Sequence, residues 1–84
     1  MYKVSISNSA QKSARNIPDD CYNIIKQRIF ELAENPRPHG CRKLMGAENT
    51  YRIRVRDYRI IYTIEDEILI VEVIKIGHRK NIYN

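Results

Sequence analysis

The spacing of apolar residues changes along this chain, and each change predicts an element. From Tyr2 to Ser7 they alternate, with Tyr2, Val4 and Ile6 set against Lys3 and Ser5, which predicts a short strand. Asn8 or Ser9 stands where it can cap a first, weak helix running to about Asn16. Ile17-Pro18-Asp19-Asp20 predicts the start of a second, because proline suits a first helical turn and the aspartates sit at its positive end. Behind them Cys21, Ile24, Ile25, Ile29, Leu32 and Ala33 recur at spacings of three and four, giving one apolar stripe. Asn35-Pro36 stops that helix. The segment PRPHG reads as a stiff loop, and residues 42–49 as an irregular lead into the strands.

The remainder reads as β-structure. Tyr51–Val55, Tyr58–Ile64 and Ile68–Ile76 are rich in β-branched and aromatic residues and are separated by short polar turns. The order is strand, two helices, then a three-strand antiparallel meander. That predicts one α+β domain over residues 1–84, with the helices packed on one face of an antiparallel sheet.

Register can be read from the pattern as well. With Arg56-Asp57 as the hairpin turn, Val55 faces Tyr58, Arg54 faces Arg59, Ile53 faces Ile60, Arg52 faces Ile61 and Tyr51 faces Tyr62. Tyr51, Ile53, Val55, Tyr58, Ile60 and Tyr62 then share an apolar face for the helices. Arg52, Arg54 and Arg59 share the opposite one. A one-residue slip would mix the sets, so the register is well specified. With Asp66-Glu67 as the second turn, Leu69, Val71 and Val73 join the core face, while Ile70, Glu72 and Ile74 join the arginines.

Composition narrows the class. An 84-residue chain with 43 % hydrophobic residues and six tyrosines supports a compact core. A charged fraction of 30 %, with no run of 18 apolar residues, argues against a membrane-embedded chain, and MYKVSIS lacks the features of a signal peptide. A cytoplasmic protein is expected, with Cys21 and Cys41 as free thiols and Cys21 filling a small core position. His39 and Cys41 flank Gly40, but no second pair stands at metal-ligand spacing, so no metal or cofactor is expected. The net charge of +5 favours an acidic partner, most commonly nucleic acid.

The distribution of that charge is more telling than its sum. Like charges directly across a sheet cost a few tenths to about 1 kcal/mol, so Arg54 opposite Arg59 needs a reason. One is a solvated cationic face that keeps the sheet soluble. The other is an anion site, since the guanidinium fork matches phosphate better than a lysine point charge. Glu72 is placed to orient an arginine there. Ile70 and Ile74 leave the face partly apolar, which suits cover by a partner protein. Gly77 permits a turn that carries His78, Arg79, Lys80 and Tyr83 back toward the basic sheet.

The run YRIRVRDYRIIYTI, a hydrophobic strand after it, IGHRKNIY, and the upstream NP…RKLMG segment together resemble the RelE/ParE superfamily of toxin–antitoxin toxins. The resemblance covers nearly the whole chain. It implies a ribosome-dependent endoribonuclease that cuts mRNA in the A site, and a RelB-like cognate antitoxin that silences it in a higher-order complex. By position it implies a catalytic set of Arg52, Arg54, Arg59, Arg79 and Tyr83 with His78, and contacts to RNA or ribosome from Lys43, Arg56 and Lys80. Two departures stand out: Met45 lies where RelE-like chains often carry a basic residue, and the sequence ends one residue after Tyr83.

The residues are consistent with that chemistry. The chain shows no paired carboxylates and no Ser–His–Asp arrangement, and an RNase needs neither when the substrate's 2′-OH attacks the adjacent phosphate. The protein then supplies in-line positioning, neutralisation of the phosphorane and proton transfers. Arginines, with pKa values above about 12, are poor proton acceptors. Tyr83 is the first candidate base, its phenolate favoured by surrounding cations; its other role is to stack on a base. His78 titrates nearer neutrality and is a candidate acid or base, or else a solvent-facing histidine. Glu48, just before the hairpin, is a weaker candidate. Two other readings stay open: a ParE-like inhibitor of DNA gyrase, and a basic RNA- or antitoxin-binding module without catalysis.

Overall fold

The computed structural model describes residues 1–78. In chain order the elements are β1 (Lys3–Ile6), α1 (Asn8–Ser13), α2 (Asp19–Glu31), β2 (Arg42–Lys43), β3 (Thr50–Val55), β4 (Tyr58–Glu65) and β5 (Ile70–His78). They form one sheet in the order β1-β5-β4-β3-β2. No helix among the described residues is long and apolar enough to cross a membrane.

Both helices start within one or two residues of their signals. Ser7, rather than Asn8 or Ser9, caps α1, its hydroxyl accepting a hydrogen bond from the Ala10 N–H at 3.1 Å, and α1 ends at Ser13, short of Asn16. Pro18 stands at the N-cap of α2, with Asp19 and Asp20 in its first turn. Ile25, Ile29 and Leu32 carry its buried stripe, and Cys21 is half-buried against the same core.

The sheet is mixed rather than antiparallel. The meander β3–β4–β5 is antiparallel, but β1 runs parallel to β5, setting Val4 beside Val71 and Ile6 beside Val73. The physical reason is burial. Val71 and Val73 are fully buried under the helices, and that edge lets the apolar side of β1 join the same layer. The irregular lead contains one further short strand, β2, paired with β3 at Arg42–Arg52 and Lys43–Tyr51.

The β3–β4 register is the one the alternation predicts, pair for pair. The second hairpin differs. Glu65 pairs with Ile70, so the turn spans residues 66–69, and Leu69 sits in it at φ 55°, 46 % exposed, instead of in the core. A β-bulge follows: Tyr62 pairs with Val73 but Ile61 with Lys75, so Ile74 is the extra residue. Strict alternation from Val71 and Val73 would aim Lys75 into the core. The bulge turns Lys75 outward and buries Ile76 completely.

One polar clamp closes the sheet at the β4–β5 turn. Arg37 meets the Asp66 carboxylate through both terminal nitrogens, at 2.8 and 3.3 Å, and the Tyr2 hydroxyl donates to Asp66 Oδ1 at 2.6 Å. The Arg37 hydrogen bond holds the Asp66 carboxyl below its ordinary value, and the hydrogen bond to Asp66 holds the Tyr2 phenol above its own. A depressed carboxylate contributes stability above its unfolded pKa and loses it as pH falls through the folded one. A raised phenol contributes below its unfolded pKa and loses it at higher pH. The clamp is therefore complete between about pH 4 and about pH 10. Asp66→Asn is expected to lower the urea midpoint slightly at pH 7, with the difference from wild type vanishing as the pH falls below the depressed carboxyl value. A difference unchanged at low pH would contradict the assignment.

Candidate functional site

With the helices on one face, no element among the described residues covers the other, here termed the open face, and the register decides which side chains meet there. Arg52 and Arg54 on β3 and Arg59 on β4 all point to it, and Arg54 pairs directly with Arg59. Arg54 is exposed; Arg52 and Arg59 are half-buried, and the Nε of Arg59 is screened from solvent. The structure thus brings together three of the residues expected from the sequence. Across β4 from Arg54, Arg59 pairs with Gly77, which adds no side chain of its own to that position of the face.

Two further cations adjoin these arginines on the same face. Arg42 lies directly beside Arg52, and Lys75 pairs with Ile61, itself the partner of Arg52. One row across the strands therefore reads Arg42, Arg52, Ile61, Lys75, and the next reads Arg54, Arg59, Gly77. Neither Arg42 nor Lys75 stands out in the sequence. A two-residue strand is too short to show a period, and the bulge reverses the alternation that would have assigned Lys75.

Other expected residues separate from this cluster. His78 pairs with Tyr58, on the helix side of the sheet, their rings edge to face with centroids 5.6 Å apart. It stays within one residue of Gly77, at the rim of the open face. Lys43 pairs with Tyr51 and so faces away from Arg52. Arg56 is exposed at the β3–β4 hairpin tip, in the left-handed region at φ 55°. Glu72 pairs with Thr63 and Ser5 on the open face, nearer its other end, and forms no ion pair among the described residues. Glu48 is exposed in the β2–β3 connection, and Met45 there is 99 % exposed. Arg79, Lys80 and Tyr83 lie outside the described residues.

The described ion pair, Arg37–Asp66, is at the β4–β5 turn. The arginine rows lie toward the β3–β4 turn, at the opposite end of those strands. Guanidinium groups converging from adjacent strands suit a phosphodiester, because several charge-assisted donors meet one anionic group from different directions. Adjacent half-buried cations also hold any bound phosphate in a medium of lower dielectric than water, which strengthens each contact.

Comparison with known proteins gives a consistent picture. The model of the family described as the ParE toxin of the type II toxin–antitoxin system, parDE, matches residues 4–83. The mRNA interferase toxin RelE of Escherichia coli K12 is 31 % identical over 81 residues, covering 94 % of this chain and 84 % of that one. Among solved structures, the archaeal RelE–RelB complex from Pyrococcus horikoshii OT3 superposes with a TM-score of 0.83 at 26 % identity, covering 95 % of this chain and 97 % of its counterpart. The intact E. coli RelBE toxin–antitoxin complex gives a TM-score of 0.80 at 30 % identity, covering 93 % and 96 %.

Proposed function

The chain belongs to the RelE/ParE family of type II toxin–antitoxin toxins, and from that premise we propose that it is a metal-independent, ribosome-dependent endoribonuclease that inhibits translation by cutting mRNA in the A site. The observation that carries this reading is the pair of arginine rows on the open face of the sheet. The E. coli relative that shares 31 % of its residues is named an mRNA interferase, which favours RNA as the anion those arginines meet.

In the proposed reaction the ribose 2′-OH attacks the adjacent phosphate and expels the 5′-oxygen of the next nucleotide. Arg54 and Arg59 hold the phosphate in line and neutralise the charge that builds on its equatorial oxygens. Arg79 is proposed to complete that cage. Tyr83 takes the proton from the 2′-OH or stacks on the base beside it. The His78 ring lies on the helix side of the sheet against Tyr58, so the leaving oxygen takes its proton from solvent water. Tyr83→Phe separates the two tyrosine roles: cleavage slows by roughly 10²–10⁴-fold if the hydroxyl moves the proton, and only a few-fold if the ring stacks.

A RelB-like antitoxin is the proposed partner, working in the cytoplasm in a higher-order complex. The support is that structural relatives include RelE–RelB complexes, and that half-buried Ile61 and Ile70 on the open face offer it apolar contact. The family model carries the ParE name, so gyrase inhibition is the reading to test against. Purified protein added to a translating extract is expected to create new mRNA ends at the A-site codon. Inhibited supercoiling without new ends would replace this proposal with the gyrase reading, and neither effect would leave a non-catalytic binding module.

A further inference from the structure

The β-bulge between β4 and β5 places Lys75, exposed, in one row with Arg42 and Arg52, when strict alternation would have driven the lysine under the helices. Bulges commonly re-aim a side chain beside a functional site. Here the re-aimed side chain is a cation delivered to a face that already holds four arginines, Arg42, Arg52, Arg54 and Arg59. Neither Arg42 nor Lys75 makes an ion pair among the described residues.

Resting on the ribonuclease reading above, we propose that Arg42 and Lys75 are substrate-positioning residues that extend the arginine cluster into a phosphate-holding track across the strands. Strands lie about 4.8 Å apart, so the row from Arg42 on β2 to Lys75 on β5 spans about 14 Å. The row of Arg54 and Arg59 lies two residues along the strands, about 6.8 Å away. One row thus holds the ribose-phosphate chain on either side of the cut, and the other faces the reacting phosphate. Ile61, half-buried between Arg52 and Lys75, gives the chain an apolar surface on which a ribose packs. Lysine suits the outer position because it needs only a flexible point charge, whereas the reacting phosphate needs the rigid fork.

The test is the salt dependence of binding to a fluorescein-labelled oligouridylate, measured on the full chain for wild type, Lys75→Gln, Arg42→Gln and Lys12→Gln. Lys12 is an exposed lysine on α1, at the helix layer, and serves as the control. Each track substitution is expected to weaken binding and to lower the slope of log affinity against log salt by about 0.7, the value for one phosphate contact on a single strand. Lys75→Arg should keep the wild-type slope, and Lys12→Gln should leave it unchanged. Wild-type slopes in Lys75→Gln and Arg42→Gln would overturn the track. So would an equal drop in Lys12→Gln, or no binding by wild type. A parallel assay on mRNA-programmed ribosomes should show KM raised several-fold by Lys75→Gln with kcat unchanged, and a fall in kcat alone would overturn the positioning role. If wild type cuts nothing on ribosomes, the nuclease reading falls by itself, and the binding slopes still decide the track.

Discussion

Arg59→Ala is expected to slow mRNA cleavage by about 10²–10³-fold, the loss seen when one preorganised donor to a developing charge is removed, and to relieve growth arrest while the protein stays folded. The residue lies on β4, in the middle of the sheet, paired with Arg54 on one side and with Gly77 on the other. Its Nε is already screened from solvent. That part of the guanidinium sheds little water when substrate arrives, and each contact it makes there is stronger than at a fully exposed arginine. Folding should tolerate the change. The lost packing of the side-chain stem is offset by removal of the like-charge contact with Arg54, which costs a few tenths to about 1 kcal/mol. A denaturation midpoint within about 0.5 kcal/mol of wild type is therefore expected. Arg59→Lys sharpens the test, since it keeps the charge and loses the fork; it should recover only part of the rate. Cleavage at the wild-type rate by a folded Arg59→Ala protein would remove the arginine rows from the reaction.

How much of this could be read from residues alone depends on whether burial constrains the pattern. In β3 and β4 it does: one face is packed, period two is unbroken, and a slip would bury arginine. The pairing of Arg54 with Arg59 follows from that constraint. It fails where the constraint is local or broken. The bulge at Ile74 reverses the parity of β5, so Lys75 and Ile76 trade the roles a regular strand would give them. Leu69 looks like a core residue by its parity, yet it is drawn into the turn by the four-residue connection. β2 carries two residues and no period, which hid Arg42. The parallel pairing of β1 depends on which sheet edge is unoccupied, a property of the whole fold and not of residues 2–7.

The separation of roles between the two faces has a counterpart in stability, and Tyr62 is where it should show most strongly. Tyr62 is fully buried on the helix face of β4, stacked on Tyr51 at 6.1 Å, and its hydroxyl donates to the Pro36 carbonyl at 2.7 Å. That bond ties the central strand to the loop after α2. Burial raises the phenol pKa far above its ordinary value, so the hydroxyl remains a neutral donor throughout the folded range of pH. Tyr62→Ala deletes a large side chain from the centre of the core and is expected to cost about 3–5 kcal/mol. A chain of this size has total stability of only about 4–13 kcal/mol, so that variant should be unfolded or close to it, and non-toxic for that reason. Tyr62→Phe keeps the ring and leaves the buried carbonyl without its donor, at a cost of about 1–3 kcal/mol. The phenylalanine variant should therefore show a lower urea midpoint with an unchanged cleavage rate per folded molecule, the reverse of Arg59→Ala. A Tyr62→Phe protein as stable as wild type would mean that the strand-to-loop bond contributes nothing. One that is stable but slow to cut would mean that the helix face reaches the chemistry after all.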